Sequence, residues 1–342
     1  MDEKMAIRIG TDGLCMCHAG SKCPNGRAGS ALRCTRKEVE DAGARPIEMD
    51  SPEGALMYKY KPSTCPEALL PILESWEKED LDTDTWRWNP KVKGSGIIEC
   101  IPQSGTCPVG CEDCFFQSGR SYLEPLAENL PHAPSPRRAL GRVVRMNDGN
   151  DSNVQRELVE AVANEYDDYF FNTSMNKDLE SFSGPVVLTV NPGRMTDTDF
   201  HKVEKAHHNL MFVRIRVNAW NLETVVQPAV DHYSHLGIPV VFTFMAYYGK
   251  TVPEEHADKY EWKKRTTNSY WVMKKLWVDK IEEQFADKPT VYTCGRRGQY
   301  ACFLCGNCLR EYHATKERIR MTREAKRAAR IEEQKKEKEN GE

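Results

Sequence analysis

Cysteine placement constrains this chain more than any other feature. Thirteen cysteines are distributed over 342 residues in three groups with two singletons. Cys15, Cys17, Cys23 and Cys34 lie near the start, and Cys65 and Cys100 stand alone. Cys107, Cys111 and Cys114 form a compact triplet, and Cys294, Cys302, Cys305 and Cys308 close the series. The intervening stretch of about 180 residues carries none. A large cysteine-free body bracketed by clustered cysteines points to metal sites; disulfide frameworks belong to small secreted chains. The expected division is a cysteine-containing extension over 1–93, a central domain over 94–293, a metal-cluster segment over 294–315 and a charged tail over 316–342.

The central domain reads as strands alternating with helices. Short β-branched runs predict strands at 97–101, 143–147, 186–191, 211–218, 240–245 and 290–294. Apolar residues at helical spacing, such as Val154, Leu158, Val162, Tyr166 and Tyr169, predict a helix over 154–170. Similar patterns predict helices at 197–208, 222–236 and 268–285. Strand–helix alternation implies a parallel sheet with right-handed crossovers. Side chains alternate between the faces of a strand, so Val213, Ile215 and Val217 oppose Arg214, Arg216 and Asn218. In the same way Val186, Leu188 and Val190 oppose Thr189 and Asn191, and Val144 and Met146 oppose Arg145 and Asn147. Helices cover the apolar face, so the polar face looks inward. Inward arginines require a partner: either an anionic ligand in a wet cavity, or Glu99 or another acid of the chain.

The triplet lies in the run Thr106-Cys-Pro-Val-Gly-Cys-Glu-Asp-Cys-Phe-Phe116, with spacing Cys-x3-Cys-x2-Cys. Three thiolates on one loop can hold three irons of a cubane and leave the fourth iron open, whereas a closed cluster takes four cysteines. Structural zinc prefers pairs of Cys-x2-4-Cys and four protein ligands. The motif, directly after the first predicted strand, resembles the signature of the radical S-adenosylmethionine (SAM) enzymes. Asp113 stands before the third cysteine, with Phe115 and Phe116 after it.

The resemblance covers about 94–310 and carries several expectations. The fold is a partial (β/α)6 TIM-like barrel with its chemistry at the C-terminal ends of the strands. A 4Fe-4S cluster on Cys107, Cys111 and Cys114 binds SAM, cleaves it reductively and yields a 5′-deoxyadenosyl radical that abstracts hydrogen from substrate. Asn147, Asp148, Gly149 and Asn150 occupy the place where the family binds the amine of SAM; as an alternative, they form a turn capped by Asp151 or Ser152. Asn191 and Asn218 end strands where the family places ribose contacts, although both are ordinary turn residues too. Arg214 and Arg216 are candidates for the carboxylate of SAM or of a substrate. An electron donor such as flavodoxin or ferredoxin is implied. The substrate class stays open among peptide, nucleoside and small molecule.

Cys302-x2-Cys305-x2-Cys308, with Cys294 as a fourth thiolate, repeats ferredoxin-like spacing and fits a second 4Fe-4S cluster. Four cysteines satisfy zinc equally well. Cys15, Cys17, Cys23 and Cys34 form either a metal site or a segment of reactive thiols. The tail is dominated by Lys, Arg and Glu and predicts a helix over 318–330 with charge pairs four residues apart, with only a weak prospect of nucleic-acid contact.

A hydrophobic share of 39% with 29% charged residues suits a folded domain, and a net charge of −3 singles out no partner. No apolar run approaches the roughly 18 residues needed to span a membrane, and the first residues lack a secretory pattern. A cytoplasmic, reducing location is therefore expected. The rival reading is a non-catalytic zinc-binding protein that contacts nucleic acid or protein.

Overall fold

The computed structural model describes residues 5–9, 45–47, 56–60, 67–81, 85–111, 114, 116–117, 121–191, 203–248, 252–264, 269–294 and 301–339. Cys15, Cys17, Cys23, Cys34 and Cys65 lie outside the described residues, as does 197–202 of the predicted helix 197–208. Strands β1 (Met5–Ile9), β2 (Arg45–Ile47) and β3 (Leu56–Tyr60) form a small antiparallel sheet in the order β1-β3-β2.

The main sheet comprises β4 (Ile97–Cys100), β5 (Val143–Met146), β6 (Tyr169–Thr173), β7 (Val186–Val190), β8 (Leu210–Val217), β9 (Val240–Phe244) and β13 (Val291–Thr293). Its order is β13-β9-β8-β7-β6-β5-β4, and every neighbouring pair is parallel. Strands thus follow one another across the sheet in chain order. A doubly wound sheet would reverse direction at a switch point; this one progresses as a TIM-like sheet does, with no closed barrel. Between β9 and β13, the strands β10 (Ala246–Tyr247), β11 (Tyr260–Lys263) and β12 (Tyr270–Met273) form an antiparallel sheet in the order β10-β12-β11.

Six main strands were expected and seven are present. The additional one is β6, at the end of the predicted helix 154–170. The helix there, α2 (Arg156–Ala163; α1 is Leu70–Glu77), stops much earlier. Leu158 and Val162 follow the helical stripe, but Tyr166 is buried in the connection, where its hydroxyl donates to Pro134 O at 2.7 Å. Tyr169, Phe170 and Phe171 then alternate as strand residues. Likewise the predicted helix 268–285 divides into β12 and α4 (Lys275–Gln284), because Tyr270, Trp271 and Val272 favour a strand. The expected helix 222–236 is a π-helical turn, Leu222–Val226, running into α3 (Gln227–His235).

The predicted face assignment matches the packing. On one side of the sheet Val144, Met146, Phe171, Leu188, Val190, Val213, Ile215 and Phe242 join one core with Leu158, Val162, Val230 and Ile281 of the helices. Each fully buried side chain of this kind contributes about 1.5–3 kcal/mol. On the other side, Ile97, Val143, Phe170, Val187, Phe212 and Val241 pack with Cys302, Cys308 and Tyr312. Helix α5 (Asn307–Glu339) therefore crosses the N-terminal ends of the strands and floors this second face. Tyr312 donates to Asp168 at 2.7 Å, and Arg318 donates to Leu210 O at 2.6 Å. The helix runs without a break from Asn307, just before the last cysteine, through the charged tail to Glu339, and its Arg320–Glu324 and Glu332–Lys336 pairs have the expected spacing.

Candidate metal and cofactor site

The triplet occupies the loop after β4, at the C-terminal end of the sheet. Ile101 and His132 bridge across the start of this loop with N–H···O distances of 2.7 and 2.8 Å. Cys107, Cys111 and Cys114 are half-buried free thiols. Cys114 N donates to Cys111 O at 3.2 Å, and Gln117 Nε2 donates to Cys107 O at 3.0 Å. Burial pushes the Cys107 thiol up to about 11; Asp151, Cys111 and Cys114 add to the rise, and a hydrogen bond from the Val109 backbone opposes it. The three thiols thus share one electrostatic neighbourhood. Gly110 takes a left-handed φ of 59° in the middle of the loop, which glycine accepts without strain.

The turn after β5 packs directly on that loop. The ring of Phe116, two residues past Cys114, fills the space that a Cβ on Gly149 would need. Asn147 and Asn150 take left-handed φ values of 55° and 68°, a region that asparagine tolerates. Asn147 Nδ2 donates to Gln103 Oε1 at 2.7 Å, and its Oδ1 accepts from Ser152 at 2.9 Å. Asp148 forms an ion pair with Arg145 and accepts from Asn89 at 2.7 Å and from Tyr122 at 3.0 Å. Asn150 Oδ1 accepts from Asp151 N at 3.1 Å. The alternative helix cap is not formed: α2 begins after Gln155 without a side-chain cap. Asp151 instead accepts from Thr173 Oγ1 (2.7 Å), Ser174 N (2.7 Å) and Ser174 Oγ (2.8 Å), tying the end of β5 to the end of β6.

The polar inner face carries the predicted arginines. Arg145 takes an acid of the chain as partner, Asp148 in place of its register neighbour Glu99. Arg214 has neutral partners, Asn172 Oδ1 at 3.2 Å and Thr189 Oγ1 at 3.5 Å. Arg216 is half-buried further along the same face. Asn218 is committed to its own turn: Nδ2 donates to Tyr247 at 3.1 Å, while Oδ1 accepts from Trp220 N and Asn221 N at 3.1 and 2.8 Å. Asn191 is buried, and its Oδ1 has no partner among the described residues. Glu99 Oε2, Arg145 Nε and Thr243 Oγ1 share that state. Unpaired buried polar atoms cost about 1–3 kcal/mol each, so several on one face mark a surface built to meet a ligand or water.

Several of these groups were missed at the sequence level. Asn172 belongs to the unforeseen strand β6. Gln103 also donates to Asp151 O at 3.0 Å and Val154 O at 2.8 Å, so one amide joins the cysteine loop to the turn. Glu99 accepts from Trp86 Nε1 at 3.1 Å and Asn89 N at 2.8 Å. Glu99 lies on the inner face beside Arg145, as strand alternation predicts.

The C-terminal cysteines assemble on the inner face, below the arginines. Cys294 follows β13, Cys302 and Cys305 bound a short helical turn, and Cys308 lies in the first turn of α5. Cys302 N donates to Lys91 O at 2.7 Å, and Asn307 Nδ2 donates to Thr293 O at 2.9 Å. The Cys294 thiol is pushed well up by its hydrogen bond with Cys305, then by burial and by Cys308 and Cys302, with Arg214 opposing. Burial also raises Cys302, against Arg145 and Arg214. The four thiols act on one another electrostatically, and four soft donors are the type that an iron–sulfur cluster or zinc takes. Among the described residues no group of three or more His, Cys, Asp or Glu is arranged to hold a metal ion; ligands of this type complete their geometry on binding metal.

A cleft of about 720 Å³ opens at the opposite end of the sheet, beside Gly96, Lys93, Arg138 and Arg142, and includes none of the candidate ligands. Among the described residues no helix is long and apolar enough to cross a membrane. Comparison with family models, with curated proteins and with solved structures gave no match in any of the three.

Proposed function

We propose that this chain is a radical SAM enzyme built on a partial TIM-like barrel of the (β/α)6 type with one additional strand. The observation that carries the reading is the packing of the Cys107/Cys111/Cys114 loop, through Phe116, on the Gly149 turn at the C-terminal ends of two adjacent parallel strands. Three thiols and a polar turn thereby meet at the end of the sheet where such folds do their chemistry.

In this reading Cys107, Cys111 and Cys114 hold the open 4Fe-4S cluster, and Cys294, Cys302, Cys305 and Cys308 hold a second centre. Bound there, a cluster would supply the one electron that splits the C5′–S bond of SAM, with methionine leaving and a 5′-deoxyadenosyl radical available for hydrogen abstraction. The residues of the chain bind and orient. Asn147, Asp148, Gly149 and Asn150 shape the turn that receives the amine of SAM. Asn191, with its unpartnered oxygen, accepts from a hydroxyl or amine on the ligand. Arg214 and Arg216 draw a carboxylate towards the inner face. The apolar floor of Phe170, Val187, Phe212 and Val241 excludes water from below. A cytoplasmic location with a flavodoxin- or ferredoxin-type donor suits this chemistry.

The test is anaerobic. Protein reconstituted with iron and sulfide, given SAM and dithionite, releases 5′-deoxyadenosine, and the Cys111→Ala variant does not. A reconstituted sample that releases none, or a variant that releases as much, refutes the reading. The four-thiol C-terminal group also supports the zinc alternative. Colourless protein with stoichiometric zinc after anaerobic purification favours a binding protein over an enzyme.

A further inference from the structure

The two cysteine groups occupy opposite electrostatic environments. Among the described residues, the charged groups that act most strongly on Cys107 are the Asp151 carboxylate and the two other thiols of its loop. The C-terminal group lies against the inner face of the sheet, where Cys302 and Cys308 pack with Phe212, Val187 and Val241. Arg214 stands two residues along β8 from Phe212, on the same face, with its guanidinium carbon 5.6 Å from the Phe212 ring centroid. Its register neighbours are Thr189 and Val241; Val241 in turn pairs with Tyr292, two residues before Cys294. Arg145 shares this face and also acts on Cys302, with Asp148 as its ion-pair partner. Among the described residues, Arg214 has only neutral side chains as hydrogen-bond partners. Arg214 therefore adds a positive charge beside the second cysteine group, together with Lys91 and Arg145, which act on the same thiols, and the apolar floor packs against Cys302 and Cys308.

We infer that Arg214 holds the centre bound by Cys294, Cys302, Cys305 and Cys308 at a more positive reduction potential than the centre at Cys107, Cys111 and Cys114. The inference rests on the reading that both groups carry iron–sulfur clusters. One-electron reduction adds a negative charge to a cluster that is already anionic through its thiolates. A fixed cation beside it favours the reduced form, and a nearby carboxylate such as Asp151 disfavours it. Arg214 is thus a positioning and tuning residue whose role is read in a potential.

The experiment is an anaerobic potentiometric titration of reconstituted full-length protein, followed by electron paramagnetic resonance of the reduced clusters. The signal of the second centre is identified as the one lost in Cys302→Ala and retained in Cys111→Ala. In the Cys111→Ala background, Arg214→Gln lowers the reduced-to-oxidised ratio of that signal about tenfold at fixed potential, a shift of about 59 mV for one electron. Arg214→Lys, which keeps the charge, stays much closer to the parent. In wild-type protein this signal also has the more positive midpoint of the two. Iron content guards against misfolding of the variants. A signal whose midpoint is unmoved by Arg214→Gln, or which is the more negative of the pair, overturns the inference and leaves the cluster reading standing. Absence of any cluster signal dependent on Cys302 overturns both.

Discussion

Substitution of Gly149 by alanine tests the contact that unites the two halves of the candidate site. The Gly149 backbone lies outside the left-handed region, so alanine meets no conformational penalty there. The new methyl, however, lands on the Phe116 ring. That ring packs with Ile101, Leu123 and Leu130, of which Ile101 and Leu123 are fully buried. Two responses are open. The ring can stay, with overpacking strain of about 1–3 kcal/mol. It can instead swing into solvent and forfeit part of a phenyl burial worth at most about 3 kcal/mol. Since Phe116 is only half-buried, the cheaper route sets the cost at about 1–2 kcal/mol. In a Phe116→Ala background the methyl enters vacant space, and the change becomes neutral or stabilising by about 0.5 kcal/mol through the unfolded chain. The double-mutant cycle, measured by urea denaturation, therefore gives a coupling of at least about 1 kcal/mol. Gly149→Ala should also reduce iron uptake at the Cys107 loop in anaerobic reconstitution. An equal effect of Gly149→Ala in both backgrounds would refute the contact and weaken the functional reading built on it.

Asp151→Ala removes the acceptor of Ser174 N, Ser174 Oγ and Asn153 N, while Thr173 Oγ1 keeps Met175 O; a loss of about 1–3 kcal/mol in urea denaturation is expected, and a loss below about 0.5 kcal/mol would contradict the network. Asp168 governs part of the acid limb. Burial acts to raise its carboxyl pKa, but hydrogen bonds from Lys316 and Tyr312 outweigh burial and hold it below the usual aspartate value. Its stabilisation is therefore present above the unfolded pKa near 4 and is lost as pH falls through the lower folded value. Asp168→Asn should flatten the stability profile below about pH 4, with a loss at pH 7 of no more than about 1 kcal/mol because the pair is roughly half exposed. A profile identical to that of the parent would show that the docking of α5 does not depend on this carboxylate.

Alternation and spacing are local properties, and what depends on them was legible in the chain. Val213, Ile215 and Val217 against Arg214 and Arg216 set the two faces of β8, because a strand's period of two is written in consecutive residues. The order of strand and helix implied a parallel sheet, and the short intervals between Cys107, Cys111 and Cys114 placed them on one loop. Tertiary structure decided what local pattern could not. The stripe Leu158, Val162, Tyr166 read as one long helix, yet tertiary packing drew Tyr169–Thr173 into the sheet as an additional strand. Arg145 met Asp148 instead of Glu99, since the turn after β5 carries the nearer carboxylate back over the strand. Phe116 came to rest on Gly149, and the C-terminal cysteines came under Arg214, across about 30 and 90 residues of sequence respectively. Such pairings depend on where separate elements meet in space, and no periodicity within either partner records them.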